Sequence, residues 1–278
     1  MSIGNFEINS DVIRQFEQSG AVCLRGLFDR KWCDLAHRGI QRNLEHPSPL
    51  FRDHTPDGSP GRYVFDFWNW QKIPEFELLI FQSPAGAIAG QLMQSRQSLM
   101  IMDNWFMREK GATNGAPWHH DEPYFDFEGR MCILWFAMEP VSRENGLTFI
   151  KGSHRWNKLF IAPQFSENVP FICEGDGYSE MPNIDAHSED YDFLSWDLDV
   201  GDCLVFDIRT IHGATSSSTP LGQTVKSMSL RFGTEDTIFR PRGAWTQEIT
   251  DHLISLGQKV DQPLDCSLLP CVWEAEQS

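Results

Sequence analysis

The run Trp118-His119-His120-Asp121-Glu122-Pro123 places two imidazoles and two carboxylates side by side. On a strand, side chains alternate faces, so His119 and Asp121 share one face while His120 and Glu122 share the other. An imidazole and a carboxylate two residues apart can grip one metal ion. A second His from elsewhere would complete two His and one carboxylate, the non-haem Fe(II) donor set with open positions for O2 and an organic cosubstrate. The best second His is His212, in Asp207-Ile208-Arg209-Thr210-Ile211-His212-Gly213-Ala214. It follows the apolar run Cys203-Leu204-Val205-Phe206, entered through a tight turn at Gly201-Asp202. His154, in Gly152-Ser153-His154, is a rival third ligand, but it reads better as a turn residue bonded to backbone. Spacing alone leaves the choice between the His119/Asp121 and His120/Glu122 pairs open. The other histidines (37, 46, 54, 187 and 252) fall in helix or loop contexts and are expected at the surface.

These groups need a frame. Asn9-Ser10-Asp11 can cap a helix over Val12–Glu17 that Gly20 ends, and Ala21–Leu24 is then a short strand. A second helix is expected from Asp29 to about Glu45, stopped by His46-Pro47-Ser48-Pro49. Residues 47–75 are the least regular, yet hold Phe65-Asp66-Phe67-Trp68-Asn69-Trp70, which reads as a candidate lid, its aromatic segment 63–70 excluding water, or else as a loop packed on the core. One helix is expected near 76–96. From residue 99 the period shortens: strands are expected at Leu99–Phe106, Met131–Ala137, Leu147–Ile150, Phe193–Leu198, Asp202–Asp207 and Thr224–Phe232. The fold expected is mainly β with flanking α-helices, in one domain over 1–278. Residues 1–98 give helical support and the lid, 99–239 the β core, and 240–278 a mixed tail with a short helix at Thr246–Leu256.

Composition narrows the classes. With 278 residues, 41% of them hydrophobic and 22% charged, the chain can bury a large core and is not a disordered one. Lys and Arg number 23 against 39 Asp and Glu, a net charge of −16, which argues against nucleic acid and anionic membrane as partners. No apolar run is long enough to span a bilayer, and the first residues, MSIGNFEINSD, do not read as a secretory signal. The seven Cys (23, 33, 132, 173, 203, 266 and 271) are scattered with no CxxC pair, which suggests reduced thiols and a cytoplasmic location, with Cys132 and Cys203 in the core.

Taken in order, Pro117-Trp118-His119-His120-Asp121-Glu122-Pro123-Tyr124, Trp135, Glu144-Asn145-Gly146-Leu147, Gly152-Ser153-His154-Arg155-Trp156, Gly201-Asp202 and His212-Gly213-Ala214 resemble the phytanoyl-CoA dioxygenase-like family. Phe16–Val22 and Arg25-Gly26-Leu27-Phe28 look like that family's opening, and the likeness runs over roughly residues 5 to 275. The resemblance implies a double-stranded β-helix (jelly roll, cupin-like) and an Fe(II)- and 2-oxoglutarate-dependent dioxygenase using O2. It assigns His119, Asp121 and His212 as catalytic metal ligands. It implies hydroxylation of a C–H bond with release of succinate and CO2; the retained Asp121 speaks against halogenation. Asn104 and Trp135 would border the cosubstrate.

One departure stands out. The family's basic residue for the distal carboxylate of 2-oxoglutarate lies early in the last core strand, yet Thr219–Val225 holds no Arg. Lys226 fits the spacing better, and the Thr215–Pro220 loop can be read as an insertion that moves the role to Arg231. Arg231 is favoured because it can grip a carboxylate bidentately. Arg130 and Arg108 are outside candidates. The substrate expected is a small soluble metabolite, and the chain a monomer or homodimer. The rival readings are a 2-oxoglutarate-independent cupin-type metalloenzyme and a non-catalytic small-molecule-binding barrel.

Overall fold

A computed structural model describes residues 7–113, 115–161, 163–164, 169–170, 177–214 and 221–276. Cys173 and the Thr215–Pro220 loop lie outside the described residues. The elements that frame the site are α1 (Ser10–Ser19), β1 (Ala21–Leu24), α2 (Arg30–Glu45), β2 (Arg52–Asp53), β3 (Tyr63–Phe67), α3 (Pro74–Gln82), α4 (Ala85–Met93), β4 (Gln97–Arg108), β5 (Met131–Ala137), β6 (Thr148–Ile150), β7 (Phe193–Leu194), β8 (Cys203–Asp207), β9 (His212–Gly213), β10 (Val225–Gly233), α5 (Gln247–Ser255) and β11 (Cys271–Glu274). Among the described residues no helix is long and apolar enough to cross a membrane.

Two antiparallel sheets face each other. The large one runs β1-β8-β5-β10-β4-β3-β2, with β11 also paired to β4. The small one is β7-β6-β9 and is extended by a single bridge from His212 to His119. This is the expected β architecture. Strand alternation splits the core in two. Cys132, Leu134 and Phe136 of β5 pack outward with Cys203, Phe76, Leu79 and Ile88 against the helices. Ile133, Trp135 and Ala137 point inward with Phe149, Leu204 and Phe206.

The caps behave as expected at both first helices. Asn9 accepts from the Asp11 amide, Gly20 ends α1 at φ 79°, and Asp29 accepts from the Trp32 amide at the head of α2. The turn before β8 needs its glycine: Gly201 sits at φ 94°, and a β-carbon there would lie 2.1 Å from the Phe28 carbonyl oxygen.

Two expectations fail. The helix near 76–96 is two helices, because Ser83 is extended before Pro84, whose ring removes a donor. Residues 63–67 are not part of a lid but a strand of the large sheet, with Tyr63 opposite Arg108 and Phe67 opposite Asn104 on β4. Asp66 explains the difference. It looks like a turn residue, yet it is fully buried and accepts bonds from the Ser48 amide (2.8 Å) and hydroxyl (2.6 Å) and from Asn43 (3.2 Å). That network docks the Pro-rich loop onto the strand and frees its alternate aromatics to face the interior.

Candidate metal centre and cavity

The His-x-Asp segment is not a regular strand. One bridge holds it: the His119 amide donates to the His212 carbonyl at 2.9 Å, and the His212 amide donates back at 2.7 Å. The Asp121 amide then donates to the Ile208 carbonyl at 2.9 Å, and Glu122–Tyr124 turns the chain away. Paired this way, the two imidazoles stand beside each other, with ring centroids 4.2 Å apart.

Ligand atoms of His119, Asp121 and His212 all lie within 4.8 Å of one another, and all three residues are buried. His119 Nε2 is 3.2 Å and His212 Nε2 3.8 Å from Asp121 Oδ1. Each Nδ1 lies against a backbone carbonyl, Pro117 at 2.7 Å and Thr210 at 2.9 Å. A carbonyl only accepts, so each Nδ1 is the donor, and in the neutral rings the Nε2 lone pairs are turned to the common point. Burial, with His119 beside it, pushes His212 down to about 3, so that ring is neutral at pH 7. Burial alone would raise Asp121, but the Arg231 guanidinium against it outweighs that and holds the carboxyl well below the usual range. Two imidazoles held with Nε2 toward one point and an ionised carboxylate are a donor set that fits a divalent iron.

Arg231 donates to Asp121 Oδ2 from Nε (3.1 Å) and Nη2 (2.8 Å), and its guanidinium carbon lies 5.2 Å from the Phe125 ring centre. The triad opens onto a cavity of about 380 Å³ lined by Tyr63, Phe65, Phe67, Phe106, Phe125 and Trp135 among others. That volume suits a small molecule.

The other expected residues separate clearly. Asn104 and Trp135 line the cavity, Asn104 donating to the Asp66 carbonyl at 3.0 Å. Lys226 does not reach the cavity. It lies on the opposite face of β10, with Nζ 3.4 Å from His37 Nε2 on α2, because Lys226 and Arg231 have opposite strand parity. Arg130 sits outside, near Glu17. Arg108 lines the cavity. His120 points away and accepts from the Phe160 amide at 3.0 Å; burial pushes it down to about 4. Glu122 pairs with Arg242, and His154 lies 3.0 Å from the Glu17 carbonyl, so neither joins the triad. His54 is not a surface residue: half buried, it lines the cavity and packs on Phe65. Ser227 and Ser229 are cavity residues that the sequence pattern did not single out, and the signal for them was alternation along β10; Tyr63 and Phe65, expected in a lid, form the cavity wall from β3 instead.

The phytanoyl-CoA dioxygenase family model matches residues 16–221. A search of curated protein sequences finds no match. Among solved structures, the chain is similar to SnoN, a non-heme alpha ketoglutarate dependent epimerase from nogalamycin biosynthesis (TM-score 0.74, 19% identity, 96% of this chain and 97% of that one). It is also similar to SnoK, a carbocyclase of the same type and pathway (TM-score 0.71, 17% identity, 96% and 97%). EctD from S. alaskensis aligns with a TM-score of 0.65 at 15% identity, over 86% and 83%. SnoN has been crystallised in complex with Fe3+, alpha ketoglutarate and nogalamycin RO.

Proposed function

Because the chain belongs to the phytanoyl-CoA dioxygenase family, we propose that it is an Fe(II)- and 2-oxoglutarate-dependent oxygenase that hydroxylates a C–H bond of a small molecule. The observation that carries this reading is the buried set of two Nε2 atoms and one carboxylate oxygen facing a common point. His119, Asp121 and His212 would hold the iron. When bound, iron together with 2-oxoglutarate would supply O2-dependent oxidation of a substrate C–H bond, with succinate and CO2 as co-products.

The chain's own residues do the remaining work. The Nδ1 bonds to the Pro117 and Thr210 carbonyls fix both ring orientations before any metal arrives. Arg231 keeps Asp121 ionised and turned. The aromatic walls exclude water and favour a substrate whose body is apolar and ring-bearing. Asn104 and Trp135 border the space beside the triad where the cosubstrate would lie. Two related folds belong to an epimerase and a carbocyclase, both alpha ketoglutarate dependent. Hydroxylation is favoured here because the matched family is described as a dioxygenase.

The test is an anaerobic titration of the metal-free protein with Fe(II) and then 2-oxoglutarate. A visible metal-to-ligand charge-transfer band is expected, absent in His119→Ala and Asp121→Ala, with succinate formed once O2 is admitted. Iron binding without the band would favour a 2-oxoglutarate-independent metalloenzyme. No iron binding at all would favour a binding barrel without catalysis.

A further inference from the structure

The early, cavity-facing position of the last core strand is Val225, an apolar residue. The next two inward positions, Ser227 and Ser229, carry no charge, and Arg231 has committed its Nε/Nη2 edge to Asp121. Of the Arg231 guanidinium only Nη1 is left without a partner, and it lies beside the triad rather than at the far end of the cavity wall, so β10 offers a second carboxylate one nitrogen and no free Nε–Nη edge. The residue directly across from Val225 on β4 is Arg108. It lines the cavity, its buried Nε has no hydrogen-bond partner among the described residues, and no described carboxylate pairs with it. A half-buried guanidinium whose Nε has lost water without gaining an acceptor is costly, so the position is suited to a ligand that brings the negative charge. Burial lowers the pKa of Arg108 from its ordinary value, and an arginine still stays charged.

The surroundings match one end of a short dianion. Tyr63 pairs with Arg108 from the other side, on β3. Burial pushes its hydroxyl up to about 12, so it keeps its proton and can donate. Between Arg108 and the triad run Ser227, Ser229 and Asn104, small polar groups along one wall.

We propose that Arg108 binds the distal carboxylate of 2-oxoglutarate, the grip having moved one strand across the sheet from Val225 to its neighbour on β4. This rests on the oxygenase reading above. The keto-acid end would face the triad, and the free carboxylate would meet the Nε–Nη edge of Arg108.

The experiment compares two oxo acids on protein loaded with Mn(II), using calorimetric titration. 2-Oxobutanoate keeps the keto-acid end of 2-oxoglutarate and lacks the distal carboxylate. Wild type is expected to prefer 2-oxoglutarate by roughly tenfold to a hundredfold, the worth of a charge-assisted pair. Arg108→Met should abolish the preference while leaving 2-oxobutanoate affinity unchanged, which also shows that the variant is folded. Arg108→Lys should keep part of it, and Arg108→Ala combined with Val225→Arg should restore it. Preference retained in Arg108→Met sinks this proposal alone, as does its selective loss in Arg231→Lys. A wild type that binds Mn(II) but neither oxo acid sinks the oxygenase reading and this proposal with it.

Discussion

One edge of the Arg231 guanidinium closes on a single oxygen of Asp121, Nε at 3.1 Å and Nη2 at 2.8 Å from Oδ2, so Oδ1 is left to face both imidazoles. The carboxylate is divided between a partner that orients it and a point where a metal would sit. Neither residue does this alone.

Arg231→Ala should therefore weaken metal binding without removing a ligand. Loss of a hydrogen-bonded partner of this kind costs about 10- to 100-fold in affinity. Calorimetry with Mn(II) measures it, and unchanged affinity would show that Asp121 orients itself.

The same pair makes a stability prediction. Asp121→Ala leaves the buried Arg231 uncompensated and should cost on the order of 3 kcal/mol. Asp121→Ala with Arg231→Met should recover most of that loss, because the orphaned charge is gone. Urea denaturation of the metal-free proteins reads both. If the two single variants simply add, the residues are not coupled.

Asp103 on β4 gives a pH signature away from the metal centre. It is fully buried; Oδ2 accepts from the Asn69 amide at 3.1 Å, while Oδ1 has no partner among the described residues. Burial pushes it up to about 7. Its folded pKa lies above the unfolded value, so the native state holds the extra proton between about pH 4 and 7. Its contribution is therefore present at low pH and lost as pH rises through 7. Asp103→Asn, which mimics the protonated acid, should be near neutral at pH 4.5 and stabilising by on the order of 1–3 kcal/mol at pH 8. A gain of equal size at both pH values would refute the assignment.

Arg108→Met should raise the melting temperature of the ligand-free protein, since it removes a half-buried cation whose buried Nε has no partner among the described residues and keeps the apolar stem. Scanning calorimetry without oxo acid tests this. A fall in melting temperature would mean that the guanidinium already has a stabilising partner.

Lys226→Ala should leave 2-oxoglutarate affinity within about twofold, because its ammonium lies against His37 on the helix side. A large loss would place Lys226 back in the cavity.

Much of the site was legible because chemistry and spacing coincide there: a His-x-Asp segment and a strand-end His after a Gly-Asp turn can serve one ion. The strands of the core were legible from their short apolar runs. Parity decides between Lys226 and Arg231 only once the structure shows which face of β10 turns inward. What spacing could not give was tertiary rescue. Asp66 reads as a loop residue until Ser48 and Asn43 are seen to satisfy it, and Tyr63–Phe67 reads as a lid until β4 pairs with it. Arg108 was visible only as an outside candidate, because its relation to Val225 is a cross-strand register that no local pattern encodes.

The reciprocal amide bonds between His119 and His212 also tie metal occupancy to closure of the small sheet. The two halves of the site come from distant parts of the chain, so the open chain offers a far poorer chelate than the closed one. A bound ion would act as a clasp on those two backbone amides, slowing their exchange with solvent deuterium by the same factor by which it favours the closed state. Removing it with a chelator should loosen this seam first while the large sheet stays protected, so amide exchange at 119 and 212 would report iron loading with no substrate present.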